Sequence, residues 1–418
     1  MCPIKTVIMA GGRGTRISSI ASDIPKPMIP ICGKPVLQHE IECLKTQGYT
    51  DIILTVGYLS DAIINFFKDG SEFGVNIEYY VEKEPLGNAG ALFKIKERLT
   101  DDFLLLNADS LFNIDFDRFV RYHKEKKGLV TLFTHPNSHP YDSGIIICDD
   151  NRAVQNWLLK EDERPDYYKN RVNAGLHVIN KKALDVAIDT PKVDLDRQIL
   201  KPLAGTGKMF AYDSPEYVKD MGTPDRYYSV SKDFACGLVQ AKNLHQKQKA
   251  VFLDRDGTIN KYVGFLRNIN AFELLDGVSE AIRMINGSGY LAIVITNQPV
   301  IARGEVSVAE LNRIHNKMET LLGRDGAYID GLYFCPHHPH KGYEGERPEY
   351  KIECSCRKPK PGMLLKAADD YNIDLSESWM IGDDDNDVLA GQAAGCRTVR
   401  IENGTDLLRA VHGILGER

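Results

Sequence analysis

The sequence lacks the features that mark several common classes of protein. No apolar run of 18 residues occurs in the 418-residue chain, which argues against a membrane-spanning helix. The first residues, MCPIKTVIMAGG, lack the layout of a secretory signal, and we expect a cytoplasmic protein. With a net charge of −6, no basic run and no acidic tail, the chain is not expected to bind nucleic acid or a membrane.

Cysteine is infrequent, and most of it is scattered along the chain. Scattered thiols are typical of reduced, often buried cysteines in a cytosolic protein. Six of the nine cysteines are of this kind: Cys2, Cys32, Cys43, Cys148, Cys236 and Cys396. The remaining three lie near one another in the sequence and predict a dedicated site. A hydrophobic content of 43% is sufficient for two sizeable cores.

Strand and helix patterns alternate along two separate parts of the chain. The first part begins with the strand KTVIMA and continues to about residue 228. A polar stretch without proline, residues 231–248, predicts a helical linker, and the alternation restarts at Val251. The chain is therefore predicted to be an α/β protein with two doubly wound domains, over residues 1–230 and 249–418.

A glycine-rich loop, MAGGRGTR at residues 9–16, joins the first strand to a helix. Glycine allows backbone N–H groups to approach phosphate oxygens, and a helix N-terminus favours an anion. The loop matches neither the lysine-bearing P-loop nor the dinucleotide fingerprint, and a tight strand–helix turn explains it equally well. Arg16 and Lys26 add positive charge near the same strand ends.

Four further motifs follow this loop in order: EKEPLGNAGAL (82–92), LLLNADSL (104–111), VNAGLHV (172–178) and KDMGTPDRY (219–227). Together they resemble the sugar-1-phosphate nucleotidylyltransferases, the mannose-1-phosphate guanylyltransferase-like family, over residues 4–228. In that reaction a sugar 1-phosphate oxygen attacks the α-phosphorus of a nucleoside triphosphate, and pyrophosphate leaves. Two anions must meet, so positioning and charge neutralisation dominate catalysis.

The resemblance implies roles for individual residues. Arg16 and Lys26 would neutralise the triphosphate, and Asp109 and Asp220 would share one Mg²⁺. The other implied contacts are Gly11, Gly12 and Gly87 with the nucleotide, and Asn173, Gly175 and Lys160 with the sugar. Two residues depart from the family pattern: Ala108 stands in place of glycine, and Leu159 stands where glutamate is expected, which bears on the sugar contacts.

The stretch VFLDRDGTIN, residues 251–260, ends a hydrophobic strand on two carboxylates. Asp254 is predicted to be the nucleophile that forms an aspartyl-phosphate, which divides phosphoester cleavage into two easier steps. Side chains alternate along a strand, so Asp256 lies on the same side and can protonate the leaving oxygen, then activate water. Mg²⁺ would hold Asp254 beside the like-charged phosphate.

Later strand ends supply the remaining parts of this site. Thr296 and Asn297 are predicted to hold phosphate oxygens, and Lys358 to act as a fixed cation. The predicted Mg²⁺ ligands are Asp254, Asp256 and Asp383, with Asp387 in support. Sites in open α/β sheets form at the carboxyl ends of strands, where all four motifs lie. In this order they resemble the haloacid-dehalogenase (HAD)-type phosphatases, over residues 249–402.

A cluster of sulfur and imidazole side chains predicts a structural zinc site. Cys335 and His337 form one pair, Cys354 and Cys356 the other, and sixteen residues separate the pairs. Three thiols and one imidazole suit tetrahedral Zn²⁺ and leave no position open for catalysis. The metal would hold the loop KGYEGERPEYKI, and His338 and His340 are alternative ligands. Ordinary reduced cysteines remain the alternative explanation.

The motifs DRDGTIN, TNQ, IARG, CPHHP and CSCRKPKPGM narrow the second resemblance. They are similar to D-glycero-D-manno-heptose 1,7-bisphosphate 7-phosphatase and its relative histidinol-phosphatase. The resemblance implies that Arg303 and Arg357 hold the distal end of the substrate, a task that suits arginine. The chain departs from the pattern at Pro299-Val300, where Ser-Gly is usual, and at Asp384, where lysine is common.

Read together, the two resemblances predict consecutive reactions on one sugar. A nucleotidyltransferase Rossmann-like domain precedes a HAD-like Rossmannoid domain with a zinc-binding loop, and both would use Mg²⁺. The phosphatase would release heptose 1-phosphate, and the transferase would convert it to a nucleotide-activated heptose, with GTP expected as the donor. The product would serve a surface glycan such as lipopolysaccharide.

Three alternatives stay open. The substrate could be another sugar phosphate or histidinol phosphate, the nucleotide could come from ATP, CTP or UTP, or the chain could be a regulatory protein with one inactive half. The oligomeric state is open and allows a homo-oligomer.

Overall fold

The computed structural model describes residues 4–12, 20, 24–186, 190, 192–402 and 404–416. The chain divides into two compact units that are not continuous in sequence. Unit 1 comprises Met1–His135, Ile146–Trp157 and Asn173–Asn243, and unit 2 comprises Pro136–Ile145, Leu158–Val172 and Leu244–Arg418. Every helix in the described ranges is too short or too polar to cross a lipid bilayer.

Among its described residues unit 1 has thirteen strands: nine form one mixed sheet, and the other four form two separate pairs. Its strands are β1 (Lys5–Ala10), β2 (Pro30–Ile31), β3 (Lys34–Pro35), β4 (Asp51–Val56), β5 (Asn76–Val81), β6 (Asp102–Asn107), β7 (Ser110–Asn113), β8 (Val130–His135), β9 (Ile145–Cys148), β10 (Val154–Leu158), β11 (Val172–Asn180), β12 (Met209–Asp213) and β13 (Tyr217–Asp220). Its helices are α1 (Val36–Thr46), α2 (Ser60–Phe67), α3 (Gly90–Ile95), α4 (Phe116–Lys126), α5 (Pro224–Ala235) and α6 (Leu238–Ala241). A π-helical turn covers Leu195–Leu200.

The central strands of this sheet are parallel, as the alternation of strands and helices predicts. The main order is β10-β9-β11-β6-β1-β4-β5, and β8 pairs with β11 and β12. Strands β6, β1, β4 and β5 run parallel, whereas β11 is antiparallel to β6. Strands β4 and β6 are buried on both faces, which explains their continuous apolar runs. Met9 pairs with Asn107, so β1 and β6 end side by side.

Unit 2 is built on a five-stranded parallel sheet. Its strands are β14 (Lys249–Leu253), β15 (Tyr290–Asn297), β16 (Gly331–Cys335), β17 (Trp379–Gly382) and β18 (Arg397–Arg400), in the order β16-β15-β14-β17-β18. Its helices are α7 (Val278–Asn286), α8 (Val308–Arg324), α9 (Gly362–Tyr371), α10 (Asp385–Ala394) and α11 (Gly404–Gly416). Alternate residues of β14 enter different cores: Val251 and Leu253 pack on one face, Ala250 and Phe252 on the other.

Two segments that precede the predicted linker belong to unit 2 and pack against helix α8. The backbone N–H of Tyr168 donates to Thr320 Oγ1 (2.9 Å), and the N–H of Asn170 donates to Glu319 Oε2 (3.0 Å). Arg171 Nη1 lies 3.1 Å from the same Glu319 oxygen, and both side chains are buried. These segments, 136–145 and 158–172, lie inside the range that the sequence predicts as the first domain.

The predicted helical linker, residues 231–248, is not one continuous helix. Helix α5 ends at Ala235, and α6 covers only Leu238–Ala241. Gly237 lies between them with φ of 80°, a left-handed conformation that interrupts a right-handed helix. The chain then continues without a helix to β14.

Candidate active sites and metal centre

A cleft of about 760 Å³ opens in unit 1 where β1 and β6 end. Parallel strands bring the loops that follow them to one edge of the sheet, and four of the five predicted motifs contribute residues to the described lining of this cleft. Its described lining includes Gly11, Gly12, Lys26, Gly87 and Asp109, together with Tyr58, Glu82, Asn88 and Asn107. Arg16, the other predicted catalytic cation, lies outside the described residues.

The two carboxylates predicted to share Mg²⁺ lie at adjacent strand ends. Strand β13 pairs with β7 so that Asp220 faces Ser110, and the N–H of Met221 donates to the carbonyl of Asp109 at 3.0 Å. Each carboxylate has a cationic neighbour: Lys26 Nζ lies 2.5 Å from Asp109, and Arg226 Nη1 lies 2.8 Å from Asp220. Two carboxylates beside an open cleft fit Mg²⁺, which takes phosphate oxygens and water as further ligands.

The electrostatics of Asp220 favour its ionised form. Burial opposes ionisation, but a hydrogen bond from the N–H of Gly222 and the charge of Arg226 outweigh it and lower the pKa of Asp220. Asp220 is therefore held as a carboxylate, the form that a divalent cation requires. Its assignment as a metal ligand remains a prediction.

Glycines at the cleft are required by close backbone contacts. Gly87 has φ of 82°, and a Cβ atom there would lie 2.3 Å from the carbonyl oxygen of Val193. The contact lets the loop after β5 pair with residues around Val193. Gly11 faces the carboxylate of Glu82: a Cβ on Gly11 would lie 3.3 Å from Glu82 Oε1. No side chain larger than hydrogen fits at Gly87 without displacing backbone.

Glu82 is a cleft residue that begins the motif EKEPLGNAGAL but was assigned no role from the sequence. Its backbone N–H donates to the carbonyl of Val56 at the end of β4, which brings the side chain to the glycine loop after β1. Burial raises the pKa of Glu82. Its place immediately after a strand that ends at the predicted site is the sequence signal that could have identified it.

The predicted sugar-binding residues separate into two groups. Asn173 and Gly175 lie on β11, and Gly175 (φ of 78°) packs so closely on Asn107 that a Cβ would lie 2.5 Å from its Nδ2 atom. Asn107 in turn lines the cleft. Lys160 is exposed, belongs to segment 158–172 of unit 2, and is absent from the described lining of the cleft. Its predicted sugar contact therefore has no structural support.

In unit 2 a buried lysine joins two aspartates at the end of β14. Lys358 Nζ donates to Asp254 Oδ1 at 2.6 Å and to the carbonyl of Ile295 at 2.8 Å, and it pairs with Asp387 Oδ1 at 2.5 Å. Burial raises the pKa of Asp254 to about 7, although Lys358 opposes the shift. Among the neighbouring charges, Asp387 contributes to the rise more than Asp256 does. The predicted nucleophile and the predicted fixed cation are thus in direct contact.

Three carboxylates of unit 2 converge closely enough to hold one cation. One oxygen each from Asp254, Asp383 and Asp387 lies within 4.8 Å of the others. Gly257, with φ of 89°, makes room for Asp383, because a Cβ there would lie 2.1 Å from its Oδ2 atom. Burial and the nearby Asp254 raise the pKa of Asp383 to about 6. This donor set of hard oxygens fits Mg²⁺.

The side chain of Asp256, predicted both as acid–base and as metal ligand, is not a member of this group of three and has other partners. It accepts hydrogen bonds from Arg255 Nη2 (2.7 and 2.8 Å), Gln298 Nε2 (2.8 Å) and Asn260 Nδ2 (3.0 Å). Arg255 is fully buried and needs a counter-charge, which explains this orientation. The group of three contains Asp387 and not Asp256, and both roles of Asp256, as metal ligand and as acid–base, remain predictions.

A buried histidine supports Arg255 from the other side. Arg255 Nη1 lies 3.1 Å from His315 Nε2 on helix α8. Burial, reinforced by the charge of Arg255, lowers the pKa of His315 well below its usual value, so the ring is neutral and accepts this hydrogen bond. The motif DRDGT pointed to Arg255 only as a neighbour of the aspartates, and nothing in the sequence pointed to His315.

The remaining predicted phosphatase residues have defined partners. Asn297 accepts a hydrogen bond from the N–H of Lys358 and donates one to its carbonyl, both at 3.0 Å, so its side chain positions Lys358. Thr296 Oγ1 accepts from Gln298 Nε2 at 2.9 Å. The guanidinium of Arg303 lies between the rings of Phe265 (4.2 Å) and Tyr343 (4.4 Å). Arg357 donates to the carbonyl of His337 at 3.2 Å.

The four predicted zinc ligands converge on one point. The Sγ atoms of Cys335, Cys354 and Cys356 lie 3.2 to 3.6 Å apart, and His337 Nδ1 lies 3.6 Å from Cys335 and 3.4 Å from Cys356. These are edges of a small tetrahedron, which fits a cation with sulfur and nitrogen ligands. The alternative ligand His338 instead has Nδ1 3.4 Å from the carbonyl of His340.

Comparisons with known proteins match two different families in the N-terminal and C-terminal parts of the chain. Residues 5–236, more than half of the chain, match the nucleotidyl transferase family model. The chain belongs to the nucleotidyl transferase family. Residues 355–412 match a second family model, described as HAD-hydrolase-like. Both halves therefore carry the signature of an enzyme, and we refer to unit 1 as the transferase unit and to unit 2 as the phosphatase unit.

Individual proteins are similar to one part of the chain or the other. Over 152 residues the chain is 43% identical to D-glycero-beta-D-manno-heptose-1,7-bisphosphate 7-phosphatase of Haemophilus ducreyi, a match that covers 36% of this chain and 81% of the relative. It is 30% identical over 230 residues to probable mannose-1-phosphate guanylyltransferase 2 of Oryza sativa subsp. japonica, covering 54% of this chain and 63% of the rice protein, less than two thirds of its length. The solved structure of HddC from Yersinia pseudotuberculosis is 27% identical, with a TM-score of 0.49, covering 55% of this chain and 99% of HddC.

Proposed function

We propose that this chain is a bifunctional enzyme that makes a nucleotide-activated heptose in two steps. The phosphatase unit removes the 7-phosphate of D-glycero-D-manno-heptose 1,7-bisphosphate, and the transferase unit joins the resulting heptose 1-phosphate to GMP from GTP, releasing pyrophosphate. The observation that carries the proposal is the presence, in one chain, of a sugar-phosphate transferase cleft and a phosphatase centre related at 43% identity to heptose bisphosphate phosphatases. The first product is the second substrate.

The phosphatase step begins with attack of Asp254 on the phosphorus of the 7-phosphate. The bond between phosphorus and the C7 oxygen breaks, and Asp256 gives its proton to that oxygen. Asp256 then takes a proton from a water molecule while the oxygen of that water attacks the phosphorus of the aspartyl-phosphate. The bond between phosphorus and Asp254 breaks, and phosphate leaves. Lys358, held by Asn297, keeps Asp254 in place and offsets the charge of the incoming phosphate.

In the transferase step Lys26, together with Arg16, neutralises the triphosphate while an oxygen of the sugar 1-phosphate attacks the α-phosphorus. The bond from the α-phosphorus to the bridging oxygen breaks, and pyrophosphate carries away the negative charge. Mg²⁺ held by Asp109 and Asp220 here, and by Asp254, Asp383 and Asp387 in the phosphatase unit, would supply positive charge beside the reacting phosphates. Zn²⁺ held by the three cysteines and His337 would have a structural role.

Glu82 supports guanine as the base. Its carboxylate lies against Gly11, in the loop predicted to carry the nucleotide. An ionised carboxylate is an acceptor only, and guanine presents two adjacent donors, N1–H and the N2 amino group. Adenine, uracil and cytosine do not present two adjacent N–H donors on their pairing edge. GTP is therefore the donor that this cleft favours.

One set of incubations tests the whole proposal. Heptose 1,7-bisphosphate is supplied with Mg²⁺ and each of the four nucleoside triphosphates, and products are identified by mass. We expect phosphate in every incubation, and pyrophosphate with GDP-heptose only where GTP is present. Phosphate release that survives Asp254→Asn, which keeps the shape and removes the nucleophile, would contradict the phosphatase assignment.

The base assignment has its own variant. Glu82→Gln replaces one acceptor oxygen with a donor, and we expect kcat/KM for GTP to fall about tenfold or more, with phosphatase activity unchanged. Equal use of all four triphosphates by the native chain would contradict the role of Glu82. Because both substrates are phosphorylated metabolites, we propose that the enzyme acts in the cytoplasm and supplies a surface glycan such as lipopolysaccharide.

A further inference from the structure

A buried histidine stands behind the predicted sugar contact of the transferase unit. His177 lies on β11, four residues after Asn173, and is 1% exposed. Its Nε2 atom lies 3.1 Å from Asn173 Oδ1. The backbone N–H of Gly175 also donates to that oxygen, at 3.3 Å. Two groups from the same strand therefore meet at one atom of the Asn173 amide.

These contacts determine the orientation of the amide and the tautomer of the ring. A backbone N–H can only donate, so the Asn173 atom that it meets is the oxygen and not the nitrogen. His177 must then donate from Nε2. Burial lowers the pKa of His177 to about 3, so the ring is neutral and carries its single proton on Nε2. Nδ1 is a bare, buried acceptor with no hydrogen-bond partner among the described residues.

The consequence concerns the other end of the Asn173 amide. With its oxygen engaged by two donors, Asn173 keeps its Nδ2 amino group for an external partner, and no described residue accepts a hydrogen bond from Nδ2. Asn173 is half-buried rather than enclosed. Its neighbour Gly175 packs on Asn107, which lines the cleft. A donor is thus held ready beside the cleft, and no acceptor of the described chain uses it.

We propose that His177 is a positioning residue of the transferase reaction, which fixes Asn173 so that its amino group donates to an oxygen of the sugar substrate. The partner of this group is an acceptor, either a sugar hydroxyl or an oxygen of the 1-phosphate. The inference rests on the proposed transferase function and adds to it a requirement on the substrate: an oxygen acceptor must face Asn173. A substrate that presents only a hydrogen-bond donor to Asn173 should bind more weakly, because it leaves the Nδ2 amino group without an acceptor.

The first test separates sugar binding from nucleotide binding in the full chain. His177→Phe keeps a buried ring and removes the donor, so the Asn173 amide is free to rotate. We expect KM for heptose 1-phosphate to rise about tenfold, the value of one hydrogen bond to a substrate, while KM for GTP and the phosphatase activity stay unchanged. A general folding defect would change all of them together and would overturn the proposal.

A matched control is His123→Phe. His123 is also a buried histidine of the transferase unit, 2% exposed, but its Nδ1 atom contacts Thr131 at 2.8 Å, not a cleft residue. We expect this variant to lower the melting temperature about as much as His177→Phe, without changing KM for heptose 1-phosphate. An equal rise of KM in both variants would show that His177 has no specific role.

A double-mutant cycle tests whether His177 acts through Asn173. Asn173→Asp keeps the oxygen that accepts from Gly175 and His177, and replaces the amino group with an acceptor. We expect it to raise KM for heptose 1-phosphate more than His177→Phe does, and the double variant to be no worse than Asn173→Asp alone. Additive losses would overturn the proposal.

Deoxy analogues of heptose 1-phosphate distinguish a hydroxyl acceptor from a phosphate acceptor. If the acceptor is a hydroxyl, the analogue that lacks this hydroxyl should bind the native chain more weakly than heptose 1-phosphate does, and Asn173→Asp should not weaken its binding further. A phosphate acceptor predicts the same loss in Asn173→Asp for every analogue. If Asn173→Asp weakens sugar binding but the analogues follow neither of these two patterns, the acceptor is not an oxygen of the sugar substrate and the proposal is overturned.

A spectroscopic measurement keeps this inference separate from the proposed function. In ¹⁵N spectra of the histidine-labelled full chain, the signal that His177→Phe removes should show a neutral ring protonated on Nε2 down to pH 5. An Nδ1-protonated ring would overturn the inference even if GDP-heptose is made. If the native chain makes no sugar nucleotide from heptose 1-phosphate while the ring is as expected, the proposed function fails and the geometry stands.

Discussion

The two candidate active sites contain the same kind of contact in very different surroundings. In the transferase unit Lys26 meets Asp109, whose side chain is 40% exposed beside an open cleft. In the phosphatase unit Lys358 meets Asp254 and Asp387, and all three side chains are at most 11% exposed. The comparison teaches that the phosphatase centre is assembled before substrate arrives, whereas the transferase cleft stays open for two large anions.

The energetic consequence follows from solvent. Water screens an exposed ion pair, so such a pair contributes about 0 to 1 kcal/mol to stability. Removing one partner of a buried pair leaves an uncompensated charge and costs about 3 to 5 kcal/mol. Lysine–aspartate contacts of equal length in the two units should therefore differ in what they contribute to folding.

Exchanging each lysine for methionine tests this contrast with the largest expected effect. Lys358→Met should lower the free energy of unfolding of the phosphatase unit by about 3 to 5 kcal/mol and abolish phosphate release. Lys26→Met should reduce nucleotidyl transfer and change stability by less than about 1 kcal/mol. Denaturant unfolding measures the stability of both variants, and the phosphatase and transferase assays measure their activities. Equal destabilisation by the two variants would contradict the predicted difference between the two ion pairs.

Loss of zinc should affect the phosphatase unit alone. About one zinc per chain is expected by metal analysis, because structural sites of this kind bind one ion. A Cys354→Ser, Cys356→Ser double variant should contain none, lose phosphatase activity and unfold at a lower temperature, since metal binding contributes folding free energy. Cys236→Ser, at an exposed cysteine of the transferase unit, is the control. Zinc retained in the double variant would contradict the ligand assignment.

The phosphatase unit offers the same contrast between buried and exposed pairs within itself. Glu319→Ala removes the carboxylate that faces Arg171 on the buried side of α8, and we expect a loss of about 3 kcal/mol in unfolding free energy. Glu273→Ala removes the partner of Lys261 at the surface, where both side chains are about 60% exposed, and should leave the free energy of unfolding close to that of the native chain. Similar losses in the two variants would show that burial does not decide the value of these pairs.

The parts of the sites that the sequence predicted are those that strand ends bring together. Asp254 follows β14, Asp383 follows β17, and Lys358 precedes α9. Because the strands of this sheet are parallel, residues at their carboxyl ends come together, so short motifs were sufficient to predict the group. The cluster of Cys335, His337, Cys354 and Cys356 was predictable because the spacing of cysteine and histidine limits the geometry. The central parallel strands of both sheets were predictable for a similar reason: they are long, apolar and separated by helices.

The parts that the sequence did not predict depend on contacts between distant segments. His315 meets Arg255 only because α8 packs on the sheet, and Glu82 meets Gly11 only because β5 and β4 pair beside β1. Segment 158–172 belongs to unit 2 and makes hydrogen bonds to α8, and segment 136–145 joins it through the hydrogen bond from the N–H of Asn137 to Asn170; no local sequence pattern predicts these contacts. The side chain of Asp256 faces Arg255 because a buried guanidinium attracts it, which strand alternation alone could not show.

Substitutions of Asp384, where the phosphatase family often has lysine, should have the smallest effect on stability and activity. The contacts of Asp384 indicate why the chain has aspartate at this position. Its carboxylate caps α10 by accepting from the N–H of Asn386 at 2.8 Å, and its own N–H donates to Asp387 Oδ2 at 3.1 Å. The other oxygen of Asp387 holds Lys358 at 2.5 Å. The departure from the family pattern therefore supplies a side-chain cap for the helix that carries Asp387, whereas the N–H that donates to Asp387 belongs to the backbone.

Three substitutions at this position separate the cap from the charge. Asp384→Ala should lower the free energy of unfolding by about 1 kcal/mol and reduce phosphatase kcat less than about tenfold, because the first turn of α10, which carries Asp387, loses its side-chain cap. Asp384→Asn keeps an oxygen that caps the helix and should remain near the native chain in both measurements. Asp384→Lys should resemble Asp384→Ala in stability, because lysine cannot accept the hydrogen bond of the cap. If Asp384→Asn loses as much as Asp384→Ala, the negative charge beside the three carboxylates, and not the cap, is what this chain retains aspartate for.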